Sequence, residues 1–314
     1  MKRILVLGGT GFVGRSLCER LVERTGARIL VPSRRPARDQ TVRTLPALDL
    51  VQADVHDDAT LAGLVSGADA VVNLVAILHG SARAFEQVHV ALPRRLAAAC
   101  RDSGCRLVHV SALGVGRDAP SQYLRSKWAG EEALRTAGAP LTILRPSLVF
   151  GAGDRALNLF AKLQAYAPIV PLAGSASRYQ PVWVEDVASA IVHALVQRIG
   201  LGQVYEAVGP RVYTLGELVR LAGRWSGHER PQIALPGFAA WLQALVMEAL
   251  PGEPLLSRDN LASMRVPSIA SGTLPDLRAL GVGAAALEAV APGYLSPYRD
   301  CARLERWRGA VAGR

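Results

Sequence analysis

The stretch Met1-Lys-Arg-Ile-Leu-Val-Leu-Gly-Gly-Thr-Gly-Phe-Val-Gly14 indicates how the whole chain folds. Residues 4–7 are wholly apolar, which is typical of a parallel strand buried on both faces. Gly8, Gly11 and Gly14 then space a turn into a predicted helix over residues 15–24. The first glycine allows a tight turn, the second lets the backbone approach a pyrophosphate, and the third lets helix and strand pack closely. Because a helix start favours an anion, the stretch predicts a dinucleotide site rather than an ordinary glycine-rich turn.

The composition is that of a globular protein with an excess of arginine. The 314-residue chain has a net charge of +10, and only Lys2, Lys127 and Lys162 among its 36 basic residues are lysines. The arginines are scattered and form no basic block interleaved with aromatic residues, so no nucleic-acid binding is expected. The charge still allows a general attraction to anionic ligands or acidic membrane surfaces.

The cysteines and the first strand bear on the expected compartment. The four cysteines form no CxxC pair and no metal-binding pattern, and the six histidines show no ligand spacing, so no metal is expected. The first strand begins by residue 3, which leaves no room for a targeting peptide, and no apolar run is long enough to span a bilayer. These features predict a reduced, cytoplasmic setting without a transmembrane segment.

The loop after the second predicted strand bears on the choice of cofactor. Arg34 lies 20 residues past Gly14, Arg35 and Ser33 flank it, and residues 28–38 contain no competing carboxylate. At this position an acidic residue holds the ribose hydroxyls of NAD, whereas arginine accommodates the phosphate of NADP. NADP(H) is therefore preferred over NAD(H). The alternative is a pair of solvated arginines in an arginine-rich protein.

Two further strand ends are expected to contact the cofactor. Asp54 could accept a hydrogen bond from the adenine amino group while Val55 donates its backbone N–H. Alternatively, Asp54 is an N-cap or turn residue before the helix near 59–65. The next strand ends Asn73-Leu74-Val75-Ala76, and its small end would let the cofactor lie across the carboxyl edge of the sheet. Pro93 interrupts the following helix, predicted over residues 85–100, and indicates a kink or a boundary there.

Ser111, Tyr123 and Lys127 form the candidate catalytic group. Tyr123 and Lys127 are four residues apart, so they stand on one face of the predicted helix. A free phenol has a pKa of about 10, and a nearby ammonium group would lower it. The tyrosine could then exchange a proton with a carbonyl or alcohol while a hydride passes to or from nicotinamide. Lys127 could also hold the nicotinamide ribose, and Ser111 could donate a hydrogen bond to the substrate oxygen.

The alternative for this segment is an ordinary amphipathic helix with a half-buried tyrosine and a surface lysine. The chain uses arginine at almost every other basic position, yet it has lysine at Lys127. A compact charge with three donors differs chemically from a planar guanidinium, which favours a specific role for this residue.

Residues 236–250 place five large apolar side chains on one helical face: Phe238, Trp241, Leu242, Leu245 and Val246. Three interpretations stay open. The helix could pack in the core, cover the substrate cleft, or dock on a partner or membrane.

With these residues in view, the chain resembles the extended or atypical short-chain dehydrogenases/reductases. The resemblance rests on Gly8-Gly-Thr-Gly-Phe-Val-Gly14, Tyr123xxxLys127, Arg145-Pro146 with Gly151, and Val184-Glu-Asp-Val187. It covers residues 1 to about 200. A narrower similarity, to the NADPH-binding accessory subunits of respiratory complex I and their bacterial relatives, rests on these segments: Ser111-Ala-Leu-Gly114, Ser121-Gln-Tyr-Leu-Arg-Ser-Lys127, Ser257-Arg-Asp-Asn260 and Ala291-Pro-Gly-Tyr-Leu295.

The resemblance implies an α/β fold with a doubly wound parallel Rossmann sheet and a small C-terminal substrate lobe. Residues 1–150 with about 181–200 would form the NAD(P)-binding domain, and about 151–180 with 201–314 the lobe for substrate or partner. The pattern departs from the family at Ala112, where a second hydroxyl residue is usual, and at His89, where an asparagine is common. The implied function is reduction of a carbonyl or quinone-like substrate, or a non-catalytic, NADPH-holding role among respiratory complex subunits, peripheral at the inner face of the membrane.

Leu148 and Val149 are expected to wall the nicotinamide. In full, the expected cofactor contacts are Gly8, Thr10, Gly11, Phe12, Val13, Gly14, Ser33, Arg34, Arg35, Asp54, Val55, Leu74, Val75, Ala76, Lys127, Pro146, Leu148 and Val149.

Overall fold

A parallel sheet with helices on both faces is the main feature of the computed structural model, which describes residues 1–38, 40–197, 200–250, 252 and 254–296. The described strands are β1 (Arg3–Leu7), β2 (Arg28–Ser33), β3 (Leu48–Gln52), β4 (Ala70–Asn73), β5 (Arg106–Val110), β6 (Leu141–Pro146), β7 (Val149–Phe150), β8 (Val170–Leu172), β9 (Arg178–Tyr179), β10 (Val182–Trp183), β11 (Val204–Ala207), β12 (Tyr213–Thr214) and β13 (Gln232–Ala234).

The described helices are α1 (Phe12–Thr25), α2 (Gln40–Arg43), α3 (Asp58–Ser66), α4 (Ala82–Glu86), α5 (Leu92–Ser103), α6 (Gln122–Thr136), α7 (Ala156–Tyr166), α8 (Val184–Val196), α9 (Leu215–Ser226), α10 (Gly237–Ala249), α11 (Arg258–Ser263) and α12 (Leu287–Leu295). Short 3₁₀ turns cover Pro36–Arg38 and Leu277–Leu280, and a π-helical stretch covers Gln87–Ala91.

The chain divides into two compact units. The first comprises Met1–Ser147, Val184–Val208 and Ala270–Ala284, and the second comprises Leu148–Trp183, Gly209–Ile269 and, as far as it is described, Ala285–Arg314. Strand β11 belongs to the sheet of the first unit, whereas the expected boundary at residue 200 assigned it to the lobe. The difference arises because β11 pairs in register with β6 and so extends the sheet by one strand.

The first unit contains the predicted doubly wound sheet. Its strand order is β11-β6-β5-β4-β1-β2-β3, and all neighbouring strands are parallel. Helices α1 and α8 pack together on one face, and α3, α5 and α6 pack in series on the other. Because strands buried on both faces cannot alternate apolar and polar residues, β1 and β4 are continuous apolar runs apart from their end residues. The fold class predicted from the sequence is confirmed.

The helix before β5 runs continuously from Ala82 to Ser103 through its π-helical stretch. The interruption predicted at Pro93 is therefore a π-helical stretch just before it, within one continuous helix. Proline has no N–H to donate to the carbonyl four residues earlier and its ring clashes there. The wider π turn over Gln87–Ala91 absorbs that clash without ending the helix.

Three helices of the second unit surround a small apolar core. Helices α7, α9 and α12 pack together with Phe150 at their centre. Asp154 fixes the start of α7, since its carboxylate accepts from the Leu157 N–H at 2.7 Å and from the Tyr294 hydroxyl at 2.6 Å.

Helix α10, also in the second unit, packs through its small side chains. Ala240 and Ala244 are buried, while Phe238 is 77% exposed and Trp241 and Val246 are also exposed. Core packing is therefore wrong as the interpretation of this large apolar face. Among the described residues, no helix is both long enough and apolar enough to cross a membrane.

The packing of Gly14 gives a test of the β1–α1 junction. A Cβ atom at Gly14 would lie 2.3 Å from the Gly8 carbonyl oxygen and 2.6 Å from the backbone of Gly9. Gly14→Ala should therefore lower the free energy of unfolding by about 1–3 kcal/mol, the usual cost of overpacking. Urea denaturation followed by circular dichroism measures the change.

Gly63, inside α3, is the matched control. A Cβ atom there meets nothing within 4 Å. Gly63→Ala should stabilise the protein by about 0.5–1 kcal/mol, since alanine loses less backbone entropy in a helix. Shifts of the same sign in both variants would contradict the close approach at Gly14.

Candidate functional site

The candidate site lies where the strand order reverses, between β1 and β4. In open parallel sheets, ligands bind in the crevice beyond the carboxyl ends of the strands at this point. Residues 74–77, here called the β4 exit loop, leave the sheet beside the glycine turn that follows β1. The Leu74 N–H donates to the Leu7 carbonyl at 2.9 Å, and a Cβ at Gly8 would lie 3.1 Å from the Leu74 carbonyl carbon.

The glycine turn presents the start of α1. Gly8 has φ +79°, and its carbonyl accepts the Gly11 N–H at 3.0 Å, so the turn is tight and needs glycine at its first position. Gly11 is the N-cap of α1 and provides no side-chain cap for the N–H groups of the first turn. Thr10, Phe12 and Val13 are half-buried around this start. The arrangement fits an anion at the helix N-terminus.

The loop after β2, the strand that pairs with β1, carries two exposed guanidinium groups. The Ser33 hydroxyl accepts the Arg35 backbone N–H at 3.0 Å, which shapes the loop. Arg34 and Arg35 are exposed, and neither belongs to an ion pair among the described residues.

Asp54, after β3, has the local role that was the alternative to an adenine contact. Its Oδ1 accepts the His56 N–H at 3.0 Å, which makes it a turn residue. The N-cap of α3 is Asp57, whose side chain accepts the Thr60 N–H at 2.8 Å. Asp54 is therefore wrong as the predicted N-cap but right as a turn residue. Val55 packs against the sheet core as a half-buried side chain.

Lys127 is one of the most buried charged side chains in the described part of the first unit. It is 2% exposed, and its Nζ donates to the Val110 carbonyl at 2.8 Å. Burial lowers the pKa of Lys127 to about 8, although the charge of Glu131 acts in the opposite direction. The interpretation as a surface lysine is wrong, because α6 turns this residue toward the carboxyl end of β5.

Tyr123 lies in an aromatic setting near the start of α6. Its ring meets the His89 ring edge-on at 5.6 Å and the Phe85 ring at 6.4 Å. Burial raises the pKa of Tyr123 to about 12. The expectation that Lys127 lowers this pKa is therefore wrong, because desolvation of the phenolate is the dominant effect.

Ser111 has a buried hydroxyl group directly after β5. It is 4% exposed, and its side chain contributes to the lowered pKa of Glu131. The next residue back in the chain is Val110, whose carbonyl holds Lys127. The Ser111 hydroxyl and the Lys127 ammonium are thus held at the same strand end, where such sheets bind ligands.

A buried ion pair anchors α6 against the sheet. Glu131 is fully buried and accepts two hydrogen bonds from Arg145 at 2.9 and 2.6 Å. Burial would raise the pKa of Glu131, but the hydrogen bonds and charge of Arg145 outweigh burial and the pKa is lowered. The pair fixes the helix that carries Tyr123 and Lys127 to strand β6.

Two buried histidines hold the β4 exit loop. The Ile77 N–H donates to His89 Nε2 at 3.1 Å. The Val75 N–H donates to Asn73 Oδ1, also at 3.1 Å, and the Asn73 amide reaches His109 Nδ1 at the same distance. The sequence reasoning assigned no role to His89, His109 or Asn73.

A signal for the Asn73–His109 pair was present in the sequence. Asn73 ends the apolar strand β4, and His109 is a polar residue within the apolar strand β5. The two face each other in the parallel register. Gly9 was also missed, although a Cβ there would lie 2.8 Å from the Val31 side chain.

The remaining predicted contacts fall in both units. Pro146 ends β6 in the first unit, and its carbonyl accepts the Leu113 N–H at 3.0 Å. Leu148 and Val149 belong to the second unit, where Val149 pairs with Val182. Ala76 is exposed in the β4 exit loop. No group of three or more potential metal ligands occurs among the residues that the structure describes.

Comparison with known proteins gives consistent results. Residues 4–207 match the family described as NAD dependent epimerase/dehydratase. The chain is 32% identical over 292 residues to the mitochondrial NADH dehydrogenase [ubiquinone] 1 alpha subcomplex subunit 9 of Mus musculus, covering 90% of this chain and 77% of that protein. It is also 32% identical over 236 residues to the ceramide reductase of Caulobacter vibrioides, covering 74% and 73% of the two chains.

A solved structure supports the fold. The NADPH-dependent quinone oxidoreductase QOR2 of Escherichia coli, in complex with NADPH, superimposes with a TM-score of 0.75. The identity is 19%, and the match covers 93% of this chain and 99% of that one.

The buried ammonium of Lys127 predicts a measurable pH dependence of stability. The folded-state pKa of about 8 lies below the ordinary value of 10.5, so between these values the unfolded chain holds a proton that the folded chain has released. Stability relative to Lys127→Met should therefore rise with pH above 8, on the order of 2 kcal/mol by pH 10.

Urea denaturation of both proteins across this range measures the difference. Groups distant from residue 127 titrate in both proteins and cancel. A difference that stays constant or shrinks with pH would show that the ammonium is not desolvated in the folded state.

Proposed function

This chain belongs to the NAD dependent epimerase/dehydratase family, and from that premise we propose that it binds NADPH and reduces the carbonyl of a small or quinone-like substrate. The observation that carries the proposal is the buried hydroxyl of Ser111 directly after Val110, whose carbonyl holds the Lys127 ammonium. Such a hydroxyl and ammonium at one strand end suit the binding of a polar oxygen and a ribose.

The protonation states favour reduction. With its pKa raised to about 12, Tyr123 keeps its proton at neutral pH and is therefore an acid rather than a base. NADPH, when bound, supplies the hydride. Tyr123 would donate its phenolic proton to the carbonyl oxygen, and Ser111 would hold that oxygen by a hydrogen bond. The product is an alcohol, and the phenolate regains its proton from solvent.

The charge of Lys127 supports the binding of NADPH. Its pKa of about 8 leaves the ammonium mostly protonated at neutral pH. A cation at this point can donate to the hydroxyls of the nicotinamide ribose.

The preference for NADPH over NADH rests on the loop after β2. Arg34 and Arg35 are exposed at the end of the strand next to β1. Guanidinium groups bind phosphate in a bidentate manner, and no carboxylate in residues 33–38 would hold the 2′-hydroxyl of NADH.

The double variant Arg34→Ala with Arg35→Ala tests this preference. NADPH should bind about 10–100-fold more weakly, while NADH affinity stays near that of the wild type. Fluorescence titration with each nucleotide measures both affinities. Arg24→Ala, at the far end of α1, removes an exposed arginine and should change neither. Unchanged selectivity in the double variant would refute the phosphate contact.

The substrate class draws on one relative and on the surface of the second unit. The relative from Caulobacter vibrioides is named a ceramide reductase, and the second unit exposes the apolar side chains of Phe238, Trp241 and Val246. We propose an apolar carbonyl compound, of either the quinone or the long-chain keto type, as the substrate here.

A second candidate function is a non-catalytic accessory subunit of respiratory complex I that holds NADPH. The specific observation in its favour is the exposed apolar face of α10, formed by Phe238, Trp241, Leu242 and Val246. An apolar patch of this kind marks an interaction site. In this role the protein would be cytoplasmic and peripheral at the inner face of the membrane, in contact with complex subunits.

Tyr123→Phe separates the two functions. A reductase should lose NADPH oxidation with 1,4-benzoquinone and with a long-chain 3-keto ester, by at least about 100-fold, because proton transfer contributes that much. NADPH binding should remain. Full activity in this variant would rule out the proposed proton donor.

Purification at the native expression level tests the accessory role. Co-purification of respiratory complex subunits, lost in the variant Phe238→Ser with Trp241→Ser, would support it. Leu201→Ser replaces an exposed apolar residue of the first unit and is the control. A protein that purifies alone and oxidises NADPH would contradict it.

A further inference from the structure

We propose that His89 is a positioning residue, which ties the β4 exit loop to the first turns of α6 and so sets the nucleotide site and Tyr123 together. The proposal rests on the proposed function, since it assigns a role within the same site. It concerns a residue of the helix before β5, at the position where the chain departs from the family pattern.

Three hydrogen bonds in series form the connection. The Ile77 N–H donates to His89 Nε2 at 3.1 Å, and His89 Nδ1 lies 2.8 Å from Ser126 Oγ. The Ser126 hydroxyl in turn donates to the Tyr123 carbonyl at 2.8 Å. Because a backbone N–H can only donate, Nε2 must be the acceptor, and the neutral ring carries its proton on Nδ1. The imidazole thus joins a loop at the sheet edge to the backbone of Tyr123.

The backbone of His89 fits α6 as closely as its ring does. A Cβ at Gly130 would lie 1.9 Å from the His89 carbonyl oxygen. Gly130 is one turn after Ser126, so His89 meets the same face of α6 through both its carbonyl and its side chain. Pro93 has no N–H to donate to this carbonyl, which lies against α6.

A second histidine holds the same loop from the other side. Asn73 accepts the Val75 N–H and donates to His109 Nδ1, so His109 carries its proton on Nε2, the opposite tautomer to His89. The N–H groups of Val75 and Ile77 in the β4 exit loop thus each have a side-chain acceptor. Leu74, at the start of the loop, packs against the Gly8 turn. A shift of the loop would therefore move the glycine turn.

The surroundings of His89 keep its ring neutral. Lys127 lies on α6, His109 on β5, and Tyr123 packs against the ring. Burial, followed by the positive charge of Lys127, lowers the pKa of His89 to about 3. Nε2 therefore stays an acceptor for Ile77 throughout the pH range in which the protein would work.

Two polar replacements of His89 test its two ring hydrogen bonds separately. In asparagine, the amide occupies the place of Nδ1 and can keep the contact with Ser126. In glutamine, the longer side chain reaches the place of Nε2 and can accept the Ile77 N–H. His89→Leu removes both. Amide hydrogen exchange of the segment 74–80, together with NADPH affinity from fluorescence titration, reports on the loop and on the site.

His89→Leu should speed exchange at Ile77 and weaken NADPH binding by about tenfold, the usual effect of one lost buried hydrogen bond. His89→Gln should restore both properties, and His89→Asn should restore neither. In the benzoquinone assay, the KM for NADPH should rise in the leucine variant more than kcat falls. His193→Leu is the control, because it removes a ring hydrogen bond to the Leu280 carbonyl in the same unit and should leave both readouts unchanged.

Other outcomes separate the two proposals. If the wild type does not bind NADPH, the proposed function fails, and exchange at Ile77 in the glutamine and leucine variants still decides whether His89 holds the loop. If the wild type and His89→Leu bind NADPH equally, the positioning role is overturned. Should the leucine variant fail to fold, equal NADPH affinity in the glutamine and asparagine variants overturns it as well.

Discussion

The van der Waals contact between the Gly8 turn and Leu74 is the constraint on which the first unit depends. Strands β1 and β4 are neighbours although β2 and β3 separate them along the chain. Their carboxyl ends are therefore far apart along the chain but close in space. A Cβ at Gly8 would lie 3.1 Å from the Leu74 carbonyl carbon. Larger residues at the turn would push the two strand ends apart and lift α1 from the sheet.

Around this contact the protein buries polar groups in defined protonation states. Burial lowers the pKa values of His89, His109 and Lys127 and raises that of Tyr123. Neutral histidines can accept hydrogen bonds from backbone N–H groups, and a protonated phenol can donate. Desolvation thus keeps the histidines neutral, as the hydrogen bonds to the β4 exit loop require, and keeps Tyr123 protonated, as a proton donor must be. The Glu131–Arg145 pair keeps its charge because each partner satisfies the other.

The second unit shows how local pattern and burial can disagree. A helix with five large apolar residues on one face would ordinarily turn that face inward. Helix α10 buries Ala240 and Ala244 instead. Small side chains allow the close approach of a helix to its support, and most of the large ones are left exposed.

The sequence by itself determined the strand, turn and helix at the amino terminus, the doubly wound class and the residues Tyr123 and Lys127 on one helix face. Periodicity and glycine spacing are local, so they can be read without knowing what lies opposite. Only the tertiary structure decided the burial of Lys127, the raised pKa of Tyr123, the role of Asp57 rather than Asp54 as N-cap, and the joining of His89 to Ile77 and Ser126. These depend on groups distant in sequence, and on desolvation, which is set by everything that surrounds a side chain rather than by its neighbours in the chain.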